Sequence, residues 1–525
     1  MKSYHSHLSS TTIQNPLKIK KNKILRSSAI FPFIINKDMD TNILFMGYWL
    51  LKRNLVSIDF RVKIRSEIGK LLVKQVKKIS SVKAFKISVK KMLKKTSLDK
   101  NITGSIELEI LSKKDMVFPY PALVVNFDGR KSSSVVHTCG RIYNNKNDLK
   151  QNNEYLVPET GIDILPNKNF SPFFSFVNGN KKIVNDKLSV KIINYLGEEL
   201  NKEITLQNIR PYQTKFIFFL NRIEKIFLKN KKGSVKINHN FKSFFPRFLS
   251  GNIEDNKHNA SLTHTYYDTS NQKDNKTFWK NPNKKIFHDS TVSFPIFKDK
   301  DSYTEFVVYP NFPKCNLKFN LKLFNELGKC TKSFKSLLNI NSKIKKPVYL
   351  NIKDILKKKG INTNQDKNYL AKLMIDGKGK VPTRLKFGLN IGLKKKYDIP
   401  TNICFNAHVP NEKILTKPGT FKWCPILNKF NSTVVISNTS NLKTKFRKAV
   451  IKMNFWNEFN NHKIQKKIVL NDNGVYLFDL KKNNKIKEFL KKGTGWLTIQ
   501  SDNPFVNGWY FETSTDGFVG GDHLF

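Results

Sequence analysis

The sequence predicts an all-β protein: four tandem immunoglobulin-like β-sandwich modules with short connecting helical turns, preceded by a disordered basic N-terminal tail. Three observations predict it, namely a composition rich in strand formers, a pattern that recurs four times, and period-two alternation inside that pattern. At 525 residues the chain is too long for one ordinary core. Its 39% hydrophobic content, with 41 Phe, is enough for several. Ile, Val, Phe, Tyr and Thr are plentiful, and long Ala/Leu/Glu-rich stretches are missing, which favours strands.

The repeat is clearest between the second and fourth copies. From 174 the chain reads FFSFVN, LSVKII, KEITL, FIFFLNRIEKIFLKNKKGSVKI, FFPRFL and LTHTYYD. From 433 it reads TVVISN, AVIKMN, KKIVL, VYLFDLKKNNKIKEFLKKGTGWLTI, DNPFVNGWYF and GGDHLF. Asn178 and Asn438 each close the first of these strands, as Asn311 does in a third copy with longer loops. The first copy lacks a clear start, but GSIELEI at Gly104 matches GSVKINH at Gly233. A Pro-to-His interval measures each copy: 18 residues from Pro119 to His137 and from Pro246 to His264, 26 from Pro382 to His408, and 19 from Pro504 to His523. Recurrence of several elements in one order is the signature of a repeat architecture. The expected division is therefore a tail over 1–45 and modules over 46–140, 141–270, 271–410 and 411–525, the first of them incomplete at its start.

Within a copy, Ile106, Leu108 and Ile110 point one way and Glu107 and Glu109 the other, as in a sheet with one buried face. About seven short strands are expected per copy. Before the Gly-led strand comes a basic segment (VKKMLKK, LNRIEKIFLKN, NIKDILKKKG or LKKNNKIKEFLKK) with apolar residues at helical spacing. A strand, one helical turn and another strand is a way for a sandwich to cross between its sheets. In that register residues 74–95, which mimic a basic amphipathic helix, become a strand and its connecting turn.

The charge is extreme, 94 Lys+Arg against 40 Asp+Glu, formally +54. Such a balance draws a protein to polyanions in a salt-dependent way. Only 11 of the 94 are Arg, leaving 83 Lys. Readers of phosphates and base edges favour the bidentate fork of Arg, so the Lys bias speaks against nucleic acid and for solvated basic faces.

Five cysteines (Cys139, Cys315, Cys330, Cys404, Cys424) form no CxxC pair and no disulfide framework. No apolar run reaches the ~18–20 residues that span a bilayer. AIFPFII at 29–35 follows basic residues but is short and broken by Pro32, so it reads as tail rather than signal peptide. Met39 and Met46 are alternative starts. Compartment stays open between cytoplasm and cell surface.

The residues shared by all copies that carry chemistry are His137, His264, His408 and His523. As ligands or acid/base groups they would work with Asp522, Tyr266, Trp509 or Asp268; imidazole suits borderline metals. No second His or carboxylate recurs at a fixed offset, so no metal and no cofactor is expected. The alternative role is a strand-end ring bonded to backbone. Gly517, Gly520 and Gly521 around Asp522 and His523 make the last copy the one best suited to activity. Trp423, Trp496, Trp509 and Tyr510 would suit a sugar-stacking platform, or a core. The pattern points first to a non-catalytic binding or scaffolding array that recognises glycan or protein surfaces, acidic ones by preference. An enzyme with a His-centred site and an electrostatic nucleic-acid binder are the alternatives.

Overall fold

The computed structural model describes residues 23–94, 101–143, 159–165, 169–241, 244–256, 258–266, 278–280, 292–299, 301–309, 316–341, 344–361, 367–378, 380–382, 384–394, 400–408, 419–439, 448–491, 493–515 and 517–525. Asn311, Asp268 and Cys315 lie outside them. The chain divides into two compact units, built chiefly from Lys18–Tyr267 and from Asp268–Asn457 with His462–Phe525.

Each unit holds two pairs of four-stranded antiparallel sheets, and every pair has the same connectivity. Counting strands within a module, one sheet runs first-sixth-third-fourth and the other fifth-second-seventh-eighth. In the first module the sheets are Arg26–Ile35, Ile102–Leu111, Ile58–Ser66 and Leu71–Ile79, then Ala84–Ser88, Asp40–Met46, Leu123–Asp128 and Ser133–Val136. In the second they are Glu159–Ile164, Gly233–Asn238, Ile183–Ile193 and Glu199–Ile209, then Thr214–Phe218, Phe170–Val177, Leu249–Glu254 and Ala260–His264. The third has Val292–Ile296, Tyr369–Lys378, Asn316–Phe324 and Cys330–Ile340, then Val348–Asn351, Ser302–Val308, Arg384–Leu393 and Thr401–His408. The fourth has Thr420–Ile426, Gly495–Ser501, Ala449–Trp456 and Lys463–Leu470, then Val475–Asp479, Asn431–Asn438, Val506–Ser514 and Gly517–His523. The architecture is the expected β-sandwich, with eight strands where about seven are expected. Their order differs from the ABED/CFG order of an immunoglobulin domain.

The expected N-terminal tail is corrected in part. Arg26–Ile35 and Asp40–Met46 are the first and second strands of a complete first module, and Met39 and Met46 are core residues. The run AIFPFII is buried throughout because this strand, unlike the third and fourth of its sheet, is covered on both faces. Pro32 sits in an edge strand with its missing N–H on the outer side, the side on which the Ser28 and Ile30 amides bond Pro119 and Gly140.

Short helices occupy the basic segments of all four modules: Val89–Met92, Arg222–Leu228, Ile352–Lys358 and Asn484–Leu490. The Asn221 side chain accepts from the Ile223 and Glu224 amides while Glu224 returns a bond to the Asn221 amide, a capping box. Ser88 and Asn351 cap their helices in the same way with one bond each.

Within a unit the second sheets of the two modules pack on each other and share a core. Leu249, Ile253, Ala260 and Leu262 of the second module join the core of the first, and Val435, Trp509, Phe511 and Phe518 of the fourth join that of the third. Strands such as Ser133–Val136 and Asn431–Asn438 are therefore buried at every position, and they read as continuous runs rather than alternation.

A second contact locks each pair. The Thr214 amide donates to the Glu67 carbonyl (2.9 Å), and in the other unit the Val475 amide donates to the Glu326 carbonyl (3.1 Å). The donor is the first residue of the fifth strand, and the acceptor lies at the tip of the partner module's third-to-fourth hairpin. Gly69 and Gly328, at φ +87° and +84°, follow these tips so closely that a Cβ would stand 2.3 Å from the Pro211 oxygen and 2.1 Å from the Asp472 oxygen.

Candidate functional site

The four repeated histidines sit at one place in the topology, the end of the eighth strand. In the first, second and fourth modules the chain there leaves the second sheet and crosses to the outer edge of the first strand of the first sheet. After His264, Tyr266 exchanges both backbone bonds with Gly161 (2.8 and 3.0 Å). After His523, Phe525 does the same with Trp423 (both 3.1 Å). After His137, Gly140 accepts from the Ile30 amide at 2.8 Å. The crossover closes these three sandwiches by satisfying an otherwise open edge.

The ring takes part in that bend. His264 Nδ1 meets the Thr265 carbonyl at 2.9 Å, and His523 Nδ1 meets the Leu524 carbonyl at 3.1 Å. In both, the imidazole bonds the backbone of the very next residue. His137 and His264 are buried and meet edge to face with centroids 4.9 Å apart, where the eighth strands of the first two modules pack together. Ser134 Oγ ties these strands, donating to the Ala260 carbonyl and accepting from the Leu262 amide, both at 2.9 Å. His408 ends its strand opposite Arg384 in the register; its side chain is outside the described part of the structure.

Tyr266 is buried and its ring covers Gly161, where a Cβ would lie 2.6 Å from the phenol oxygen. Glycine is required there because the ring occupies the space of a side chain. Trp509 is a core residue whose Nε1 donates to the Ser293 carbonyl (2.9 Å), with its ring edge-on to Phe405. Asp522 is buried, and burial raises its carboxyl to about 7 against the pull of His523. It accepts from the His523 amide at 2.7 Å, and His523 Nε2 stands 3.9 Å away. Asp522 and His523 thus stand side by side at the end of the last strand.

The C-terminal aromatics form core rather than a sugar platform. Trp423, Trp496, Trp509 and Tyr510 are all buried, and Trp423 is sandwiched between Trp496 and Phe525. Tyr510 donates to the buried Glu512 carboxylate, which also holds Ser432. Cys139 is buried, its thiol pushed up to about 12 by desolvation, with Sγ on the Arg247 carbonyl.

Glu107 and Glu109 point away from Ile106 and Ile110 as the alternation requires, yet both are buried. Arg26, Arg61, Lys63 and Arg65 from the flanking strands lie over them, with ion pairs of 2.7–3.4 Å. Burial alone would raise Glu109, but Lys63 and Arg26 outweigh it and hold it at about 2.

One recurring element escapes the sequence reading. The third-to-fourth hairpin reads SEIG from Ser66, NYLG from Asn194, NELG from Asn325 and NEFN from Asn457. The Ser66, Asn194 and Asn325 side chains each accept from the backbone amide four residues on (3.2, 3.1 and 2.9 Å). The signal was available as a four-residue match at fixed offset from the third strand.

No protein-family model matches the chain, and no curated protein does. Among solved structures, β-glucuronidase of Bacteroides uniformis is similar at 11% identity over 49% of this chain and 27% of that one, with a TM-score of 0.10. Bacteroides uniformis β-glucuronidase 2 bound to cyclophellitol-6-carboxylate aziridine is similar at 10% identity over 50% of this chain and 28% of that one, TM-score 0.10. The chain spans little more than a quarter of their length, and likeness at this level bears on neither fold nor activity.

Proposed function

We propose that the chain is a binding or scaffolding protein whose tandem sandwiches recognise acidic glycan or protein surfaces. The observation that carries this reading is the fourth strand, an edge strand in every module. In three of the four it is exposed at half or more of its positions and lysines stud it: Lys74, Lys77 and Lys78, then Lys332 and Lys335, then Lys463 and Lys467; in the second module Glu199, Lys202 and Glu203 stand there instead. Lysine on an edge keeps strands from pairing with one another while it presents cationic heads to an anionic partner. The repeated histidines support the same reading, since two of the four rings engage backbone at a sheet-to-sheet crossover. No helix among the described residues is long and apolar enough to cross a membrane.

The test is retention of the full chain on immobilised carboxylated, sulfated and neutral glycans and on duplex DNA, at 50 and 200 mM salt. Retention on acidic glycans well above neutral ones is the expected result. Equal retention on DNA that collapses with a steep salt slope would favour a nucleic-acid binder. No retention on any acidic glycan at 50 mM salt would sink the glycan form of the proposal.

A further inference from the structure

We infer that the fourth module carries a defined pocket for an anionic sugar unit, a pyranose bearing a carboxylate or sulfate. This rests on the acidic-glycan reading above and gives it a place. The pocket has a volume of about 360 Å³ and opens between three segments: the turn joining first and second strands, the helical segment before the sixth strand, and the hairpin joining seventh and eighth. Lys429, Lys481 and Lys487 line it from two of these segments. Phe430, half-exposed beside Lys429, and the hydroxyl residues Ser514 and Thr515 complete the chemistry. Such a volume is at the lower end of the roughly 300–1,000 Å³ usual for small-ligand sites, which suits a single ring better than a chain. Lysines answer a negative charge, the Ser514 and Thr515 hydroxyls answer sugar hydroxyls, and a half-exposed phenyl face offers its plane to pyranose C–H groups.

The other modules show why this end differs. In the first module the corresponding turn carries Asp38, which pairs with Arg130 at 2.9 Å. In the third, the turn carries Asp299 and Asp301. Lys353 there bonds the Asp299 carbonyl and the Ser302 hydroxyl, and Lys394 pairs with Asp354 at 3.0 Å. The fourth module replaces those acids with Leu427, Asn428, Lys429 and Phe430. Of the described acids nearby, Asp479 is engaged by Asn431 and the Lys481 amide, Glu512 is buried on Tyr510 and Ser432, and Glu488 follows Lys487 on its helix without lining the pocket. Asp516, next to the lining Thr515, lies outside the described residues. The same corner that is neutralised at home in two sandwiches is left cationic in the last.

Calorimetric titration of the full chain tests this with four probes: a carboxylated oligosaccharide (oligogalacturonate), a sulfated one (chondroitin sulfate), a neutral cello-oligosaccharide and inorganic sulfate. The double substitution K481Q/K487Q should weaken binding of an acidic oligosaccharide at least about tenfold, as loss of charge-assisted bonds requires. K357Q/K358Q, equal in charge but on the exposed face of the corresponding helix of the third module, should change it less than twofold. F430A should weaken the oligosaccharide and leave inorganic sulfate unchanged. The two acidic probes decide between carboxylate and sulfate. If K481Q/K487Q binds acidic sugar as the parent does, or if both double variants lose equally, the pocket is refuted while the array reading stands. If inorganic sulfate binds as tightly as either oligosaccharide and F430A is silent, the site is for oxyanions and the sugar assignment falls. If the parent binds no acidic sugar, both readings fail together.

Discussion

Acidification should loosen the second sandwich through His239. This residue follows the strand Gly233–Asn238 at the place that Ile110 takes in the first module, a core position. Its ring lies on Phe241 with centroids 4.8 Å apart and planes 18° apart, and touches Phe248 at 5.6 Å. Burial pulls the imidazole down from its ordinary 6.5 to about 4. Between those values the unfolded chain carries a proton that the folded one refuses, so stability rises with pH through that window. At roughly 1.4 kcal/mol per pH unit this is about 3 kcal/mol, present above pH 6.5 and lost by pH 4. Urea unfolding of the parent and of His239→Leu at pH 7.5, 6, 5 and 4 measures it. Pulse-labelled hydrogen exchange gives a readout specific to Ile183–Ile193 and Gly233–Asn238. Carboxylates titrate in both proteins, so the difference between the curves isolates the imidazole. The parent should lose about 3 kcal/mol more than the variant by pH 4. Parallel curves, or an imidazole that titrates near 6.5 by NMR, would refute the reasoning.

Two further outcomes follow from buried geometry. Gly69→Ala and Gly328→Ala should each cost about 2–3 kcal/mol, a left-handed backbone plus a clash with the facing turn, and should strip exchange protection from the Thr214 and Val475 amides. Gly360→Ala, at φ +67° with nothing within 4 Å of its Cβ, carries the strain alone; a loss no greater at Gly69 would show that the module contact contributes nothing. Glu109→Gln should destabilise the first module by about 2–3 kcal/mol, less than a fully buried pair because Arg61 and Lys63 reach water. With Glu109 held at about 2, its contribution is present above pH 4.5 and lost as pH falls towards 2. The variant should therefore show a flatter acid limb in thermal melts, and identical limbs would count against the network.

The sequence reveals the repeat because a shared topology forces residue types into fixed places: Asn178 and Asn438 at strand ends, Gly104 and Gly233 near the start of the sixth strand, a histidine at the end of each eighth strand. It hides the first two strands because Arg26–Met46 is buried on both faces and shows no alternation. The same burial turns the C-terminal tryptophans from an apparent platform into core. Glu107 and Glu109 are legible as the opposite face of their strand, but not as buried, because the cover comes from long Arg and Lys side chains on strands distant in sequence. The cationic pocket is invisible to a scan for motifs, since its lysines come from separate segments and mean something only beside the acids of the other modules.

The lock between hairpin tip and turn also governs how the chain comes off the ribosome. Glu67 precedes Thr214 by 147 residues and Glu326 precedes Val475 by 149. At about 5–20 residues per second, each leading hairpin waits roughly 7–30 s for the segment that caps it. The second sheet of the leading sandwich, whose last strand ends at Val136 or His408, likewise stands open in the nascent polypeptide until the strands that cover it follow, twice per molecule. A holding chaperone has two moments at which to act, and slower translation would lengthen both.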